Sequence, residues 1–317
     1  MLGIKSQTQP TPPRQQLTRK NTANRIILFC NARNEKYIVE WAIHHLLLGF
    51  DTVFIYDHKS NVPIASRVSF GNRIIVKRVE KEGPIKLDLM RASVNIAKQM
   101  GYDFMLYLDA DEFLCLNYFK DVKEMLRKFH FADTLAINWL MFGSNHLTKD
   151  PPNLLIEGYT KSEEILDQHV KTFVRPEQVI QVLNPHCYSV KNPNRMFCMP
   201  MRKMYSPYQF NNTQLSYKKV GAYIAHYIYQ SEETYKKRKV ALPADDTGGF
   251  RSLDPNIHLH HNVIENYDLK LRYSKRIKNF MEVVKSKKLQ KTPIIEPPNT
   301  NTQSEENTST SNDDVDF

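Results

Sequence analysis

Glycine is scarce in this chain, with ten among 317 residues. No GxGxxG follows the first apolar run, and no GxxxxGK followed by Ser or Thr occurs anywhere. A bound phosphate would therefore not lie in a glycine-rich cradle, which shifts the burden of neutralising it onto a metal. Cysteine is scarcer still: Cys30, Cys115, Cys187 and Cys198, with no CxxC pair. Cys30 and Cys115 lie in or beside apolar stretches, which reads as reduced core thiols and argues against a disulfide framework or a zinc site. Long apolar runs are missing too. Met1 to Asn24 is polar, basic and proline-containing with no apolar leader core, and no window reaches membrane-spanning length. The expected location is cytoplasmic, or peripheral to a membrane. Without a leader, the glycosylation sequons at Asn211 and Asn307 are expected to stay unused.

What is present is ample core material and excess positive charge. Hydrophobic residues make up 41% and aromatics 11%, enough for one large α/β domain or two modest ones. Lys and Arg total 44 against 34 Asp and Glu, a net +10. That surplus suits a phosphate-bearing ligand, an anionic membrane face or nucleic acid, and separates none of them.

Both ends, residues 1–23 and 290–317, have the polar composition of disordered tails. Between them, apolar runs at Arg25–Asn31, Thr52–Tyr56, Arg73–Arg78 and Asp103–Leu108 read as strands. Helical spacing at Glu35–Leu48 and Ile85–Met100 separates them. A helix near Phe119–Phe129 and a strand at Thr134–Asn138 come next. The alternation predicts a mixed, mainly parallel sheet with helices on both faces, an α/β class. From Phe142 the pattern becomes irregular, with short strands at Val170–Val174 and Val179–Val182, a helix after the N-cap candidate Ser231, and another through Tyr267–Lys285. In parallel sheets ligands bind outside the carboxyl ends of the strands. Asn31, Asp57 and Asp109 stand at such ends and are expected to line one crevice.

The segment Leu106–Phe113, LYLDADEF, sets Asp109 and Asp111 immediately after the fourth apolar run. Ionised carboxylates cannot remain unpaired in a core, so these emerge at the strand end or meet a cation. Hard oxygen ligands at a sheet edge are what a divalent metal carrying a phosphate requires. On spacing alone, Asp109 could equally cap a following helix.

Taken together, Asn31–Glu35 (NARNE), Ile55-Tyr-Asp57, the LYLDADEF run and Ala225-His-Tyr227 resemble nucleotide-sugar glycosyltransferases of the GT-A, Rossmann-like fold, family-2-like and family 92-like members above all. The resemblance covers roughly residues 25–245. It implies a single glycosyltransferase domain over 24–289, with a nucleotide-sugar half at 24–140 and an acceptor half with C-terminal helices at 141–289. It implies that Asn31, Arg33 and Glu35 border the nucleobase and ribose, that Asp57 hydrogen-bonds the base, and that Asp88 and Arg91 on the helix from Lys86 close the pocket. Asp109 and Asp111 would hold Mn²⁺ or Mg²⁺ against the pyrophosphate of a UDP- or GDP-sugar, with His226 as third ligand. Asn138, Trp139, Phe142 and Gly143 would face the acceptor, a glycan or glycoprotein.

The physics of such a transfer agrees with these roles. A divalent cation neutralises charge growing on a leaving diphosphate, and aromatic rings suit the C–H faces of sugars. An inverting transfer needs a carboxylate as general base, for which Asp245 and Asp246 in the Pro243–Gly249 segment are candidates, with Glu112 behind them. No Glu-Asp dipeptide of the common inverting type stands at the expected place, so inverting against retaining stays open. His186 is placed near the site. His258, His260 and His261 read as packing histidines, since no Asp or Cys stands at ligand spacing. The basic stretch Lys270–Lys291 reads as a solvated helix face that could also dock on acidic lipid. Its poor aromatic interleaving argues against a nucleic-acid platform. Two other readings remain: a nucleic-acid-binding or nucleotide-processing protein, and a catalytically silent scaffold. An aspartate-nucleophile phosphatase is disfavoured, because its motif ends the first strand.

Overall fold

The structure, a computed structural model, describes residues 24–291 apart from 69–70, 200–201, 205–209, 254–255 and 257–258. The expected tails at 1–23 and beyond 291 lie outside the described residues, as do His258 and the Asn307 sequon. The strands are β1 (Ile26–Ala32), β2 (Thr52–His58), β3 (Ile74–Val79), β4 (Phe104–Tyr107), β5 (Glu112–Leu116), β6 (Thr134–Met141), β7 (Lys161–Ser162), β8 (Val170–Val174), β9 (Val179–Val182), β10 (Tyr188–Val190), β11 (Met196–Cys198), β12 (Arg202–Lys203), β13 (Ala222–His226) and β14 (Ile264–Glu265). The helices are α1 (Ile38–Leu47), α2 (Ile64–Arg67), α3 (Lys86–Gln99), α4 (Val122–Lys128), α5 (Leu155–Gly158), α6 (Glu232–Tyr235) and α7 (Asp268–Lys291).

The main sheet runs in the order β12-β11-β6-β8-β4-β1-β2-β3. β3, β2, β1 and β4 are mutually parallel, whereas β8 runs antiparallel to both β4 and β6. The sheet is thus mixed and mainly parallel, as the alternating pattern predicts. Strands from both sides of residue 140 share it.

Period-2 alternation divides β1 between two cores. Ile26, Leu28 and Cys30 face a cluster with α1, α4, α5 and α7. Ile27 and Phe29 face the other side, where Leu89, Met90, Val94 and Ala97 of α3 cover Tyr56, Met105 and Tyr107. Helices therefore cover both faces. On α7 the buried stripe is Leu269, Tyr273 and Ile277, a period of four that fits one helix face. Among the described residues no helix is long and apolar enough to cross a membrane. All four cysteines are free and buried.

The local device that positions the acidic segment is side-chain closure of a strand edge. β5 pairs with β13 on one side only. Facing its other edge, α1 supplies Trp41 Nε1 to Glu112 O at 2.7 Å and His44 Nε2 to Leu114 O at 2.8 Å, while Leu114 N–H donates to His45 Nε2 at 3.3 Å. These bonds satisfy backbone groups that would otherwise be buried unpaired. Burial pushes both histidines down, His44 to about 4, so both are neutral and can divide donor and acceptor duty.

Candidate active site

After Asp109 the chain makes a turn, closed by Glu112 N–H to Asp109 O at 3.0 Å, and then enters β5. There is no helix there for Asp109 to cap. The sheet register explains what surrounds the pair. Met105 lies opposite Val174 in the antiparallel β4–β8 ladder, and continuing that register carries Lys171 to the end of β4. Glu112 lies opposite His226 in β5–β13, which sets His226 beside Asp111.

Around these carboxylates opens a cavity of about 490 Å³, at the carboxyl ends of β1 and β4. Asp109 forms ion pairs with Lys86 and with Lys171, the latter at 3.1 Å. Asp111, 1% exposed, accepts from Arg238 at 3.2 Å and Lys239 at 3.0 Å. Those two cations come from a π-helical turn, Lys236–Val240, that continues α6 and is closed by Ala241 N–H to Lys236 O at 2.9 Å. Such insertions recur at functional sites. Arg238 also binds Glu35. Burial alone would raise both aspartates, but Lys171 and Lys86 for Asp109, and Lys239 and Arg238 for Asp111, outweigh it and hold them below the usual carboxylate range.

His226 Nε2 is 3.7 Å from Asp111 Oδ1, and its Nδ1 is buried with no hydrogen-bond partner among the described residues. Burial pushes this imidazole down to about 3. Two ionised carboxylates and a neutral imidazole are the donor types and protonation states that a hard divalent cation takes. In position they are not gathered: among the described residues no group of three His, Cys, Asp or Glu converges to hold a metal. The lysines and Arg238 occupy the carboxylate oxygens.

Several residues named from the sequence line the cavity: Asn31, Arg33, Glu35, Asp109, Asp111, Trp139, His186, His226, Asp245 and Asp246. Asn31 Oδ1 accepts from Tyr107 at 3.0 Å and its amide donates to Asp245. Arg33 Nε is buried without a hydrogen-bond partner among the described residues. Asp245 is also 3.5 Å from Lys86, and its carbonyl accepts the N–H groups of Ile85 and Lys86, which ties it to the first turn of α3. Asp246 accepts from the N–H of Thr247. The aromatic wall is continuous, with Trp139 4.2 Å from His226 and 5.0 Å from His169 between ring centroids.

Asp57, Asp88, Arg91, Asn138, Phe142, Gly143 and Glu112 are not on the cavity wall. Asp57 accepts from Ser60 N–H, Ile64 N–H and Arg78 at 2.9–3.1 Å. It organises the turn after β2. Asp88 and Arg91 are exposed and pair with each other, Asp88 also with Lys81. Asn138 is spent on Asn211 and the carbonyl of Asp167, which also buries the amide of the Asn211 sequon. Phe142 packs on Tyr227. Gly143 is a packing position, where a Cβ would collide with the Asn262 side chain and lie 2.8 Å from His260 O. Glu112 points into the scaffold, accepting from Asp109 N–H, and burial pushes it up to about 8. His261 lines the cavity and binds Glu163, while His260 stacks on Tyr229.

The cavity also holds residues that sequence reasoning misses: Lys86, Asp167, His169, Lys171, Arg238, Lys239 and Arg251. Lys171 carries a legible signal, a lysine centred in the apolar run Val170–Val174; at 1% exposure it needs an anion. The others carry none.

No protein-family model matches the chain, and no curated protein matches it by sequence. Among solved structures, S. aureus TarS 1–349 aligns at 18% identity and TM-score 0.33, over 49% of this chain and 48% of that one. The same fragment in complex with UDP-GlcNAc gives 17% and 0.35, over 49% and 46%. A Bacillus anthracis protein assigned as a glucose-1-phosphate thymidylyltransferase, in complex with sucrose, gives 12% and 0.31, over 48% and 72%. The match thus spans about half the length of the TarS fragment, and at these scores the likeness decides nothing about activity.

Proposed function

We propose that this chain is a glycosyltransferase that transfers a sugar from a UDP- or GDP-sugar to a hydroxyl of a glycan or glycoprotein. The observation that carries the reading is that Asp109, Asp111 and neutral His226 line one cavity at the carboxyl ends of β1 and β4 together with Lys86, Lys171, Arg238 and Lys239, which pair with the two aspartates. Acidic and basic groups interleaved in this way suit a ligand that brings both a diphosphate and a cation.

Charge balance supports a metal. The cavity wall carries seven Asp and Glu, namely Glu35, Glu82, Asp109, Asp111, Asp167, Asp245 and Asp246. Against them stand six Lys and Arg: Arg33, Lys86, Lys171, Arg238, Lys239 and Arg251. A diphosphate entering a wall already balanced adds uncompensated negative charge, and a divalent cation offsets it. Asp109, Asp111 and His226 would hold Mn²⁺ or Mg²⁺, which supplies Lewis-acid neutralisation of the leaving diphosphate. The basic side chains would exchange their carboxylate partners for phosphate oxygens. Asn31, Arg33 and Glu35, which line the cavity, would border the nucleoside, and Asp245 would brace Asn31 and Lys86. His169, one-third exposed and backed by Trp139, offers aromatic surface to a sugar.

On this reading residues 24–289 form one catalytic domain, with the donor half at 24–140 and the acceptor half at 141–289. The interleaving also speaks against a nucleic-acid groove, which would concentrate positive charge. The exposed basic side of α7 is left as a surface for peripheral contact with anionic lipid.

The test is a thermal-shift screen of UDP- and GDP-sugars with and without Mn²⁺. One donor should raise Tm, and more so with Mn²⁺, since a ligand confined to the native state at 100 times Kd adds about 2.7 kcal/mol. Asp111→Asn should abolish the metal-assisted part of the shift and the transfer. Undiminished transfer by that variant would refute the assignment of the acidic pair.

A further inference from the structure

We propose that His169, oriented by Asp167, is the general base that takes the proton from the acceptor hydroxyl. The inference rests on the transferase reading above and deepens its acceptor side. Asp167 Oδ1 accepts from His169 Nδ1 at 2.7 Å and from the His169 backbone N–H at 2.8 Å. An ionised carboxylate only accepts, so the Nδ1 hydrogen is spent on it and the neutral ring carries its lone pair on Nε2. Both side chains are about one-third exposed, 34% and 33%, and both line the cavity.

The dyad is held rigidly. Trp139 N–H donates to His169 O at 2.9 Å, Asp167 N–H donates to Trp139 O at 2.9 Å, and Asn138 Nδ2 donates to Asp167 O at 2.9 Å. The His169 ring stacks on Trp139 at 21° and meets Phe210 edge-on at 4.7 Å. The ionisable neighbours facing it are Asp167 on its own segment, His186 with ring centroids 5.6 Å apart, Lys171 two residues on, and His226 across Trp139. Trp139 thus touches both the His169 ring and the His226 ring, so the dyad shares one aromatic wall with the imidazole beside Asp111. Asp245, by contrast, is occupied by Asn31 and Lys86.

In the step, His169 Nε2 removes the hydroxyl proton as the acceptor oxygen bonds to the anomeric carbon. The bond from that carbon to the phosphate oxygen breaks, and its electron pair leaves with the nucleoside diphosphate. The imidazolium formed is paired with Asp167, and a single displacement of this kind inverts the anomeric centre. The burial that would raise Asp167 is outweighed by its bonds to His169, so the carboxylate is charged and ready for that partner.

The experiment measures nucleoside diphosphate released from a panel of UDP- and GDP-sugars with Mn²⁺, with water as acceptor, by wild type, His169→Gln and Asp167→Asn. His169→Gln should lower kcat about 10²-fold or more, the usual share of a general base, while the donor-induced thermal shift stays. Asp167→Asn should lower kcat about tenfold and move the acid limb of the pH profile to lower pH, because the imidazolium loses its partner. Wild-type kcat in His169→Gln overturns the dyad, and so does a fall in donor binding that matches the fall in kcat. Loss of turnover in Asp246→Asn with His169→Gln intact would return the base to the Pro243–Gly249 segment. Failure of wild type to bind or turn over any donor overturns the transferase reading itself, and the dyad with it.

Discussion

Glu40 presents a contest that a pH titration can decide. It lies on α1, is 2% exposed, and accepts the N–H groups of Leu155 and Ile156 at 2.6 and 3.1 Å, which fastens the start of α5 to α1. Burial raises its carboxyl to about 8 from an ordinary value of 4.5, against the pull of those two N–H donors. A native state that keeps a proton the unfolded chain has released loses stability as pH rises through that window. Stability should therefore be fullest below about pH 4.5 as far as this group is concerned, and fall until about pH 8. A window of about 3.5 pH units at about 1.4 kcal/mol each sets a ceiling near 5 kcal/mol, and relaxation of the site brings the expected loss to about 3–5 kcal/mol. Glu40→Gln cannot ionise. Its amide nitrogen cannot accept one of the two N–H groups, which costs about 1–2 kcal/mol at every pH. Urea unfolding followed by Trp fluorescence suits the measurement, because Trp41 is the next residue and is fully buried. The variant should be the less stable protein at pH 4.5, where Glu40 has lost little, and the more stable at pH 8.5. Parallel curves would refute the reasoning: they would mean that the two N–H donors keep Glu40 ionised throughout and burial is the weaker effect.

Three further outcomes are expected from the geometry. Asp57→Ala removes the acceptor of Ser60, Ile64 and Arg78 and should cost about 2–4 kcal/mol in urea unfolding, with the donor-induced thermal shift retained; lost nucleotide binding at unchanged stability would restore Asp57 to the site. Gly143→Ala drives a Cβ into the Asn262 side chain and to 2.8 Å from His260 O, an overpacking worth about 1–3 kcal/mol, which calorimetry should read as a lower Tm. Lys171→Met leaves the ionised Asp109 with Lys86 as its remaining ion-pair partner among the described residues, and breaking a buried pair costs about 3–5 kcal/mol. An unchanged urea midpoint would show that the Lys171 cation does not offset that carboxylate.

The strands that position the cavity are legible because the information is local. Ile26–Ala32, Thr52–His58 and Phe104–Tyr107 are short apolar runs that stop at or just before polar residues, and among parallel strands those stops lie on one edge. That is why Asn31 and Asp109 can be placed together from the chain alone. β5 is invisible there because its reason to exist is non-local: its partner β13 lies more than a hundred residues on, and its outer edge is closed by side chains of α1. With β5 unseen, a helix cap at Asp109 stays open as an alternative. The same blindness explains Asp57 and Asp88. Each stands where a ligand residue could stand, yet each is consumed by near neighbours, Ser60 and Ile64 in one case and Lys81 and Arg91 in the other. Conversely, Arg238 and Lys239 look like part of a solvated basic run, and only the approach of the π-turned segment to the acidic turn gives them Asp111. A strand end tells which carboxylates must leave the core. Which cations meet them is decided by chain crossings, and that is where Lys86, Lys171, Arg238 and Lys239 have to be found.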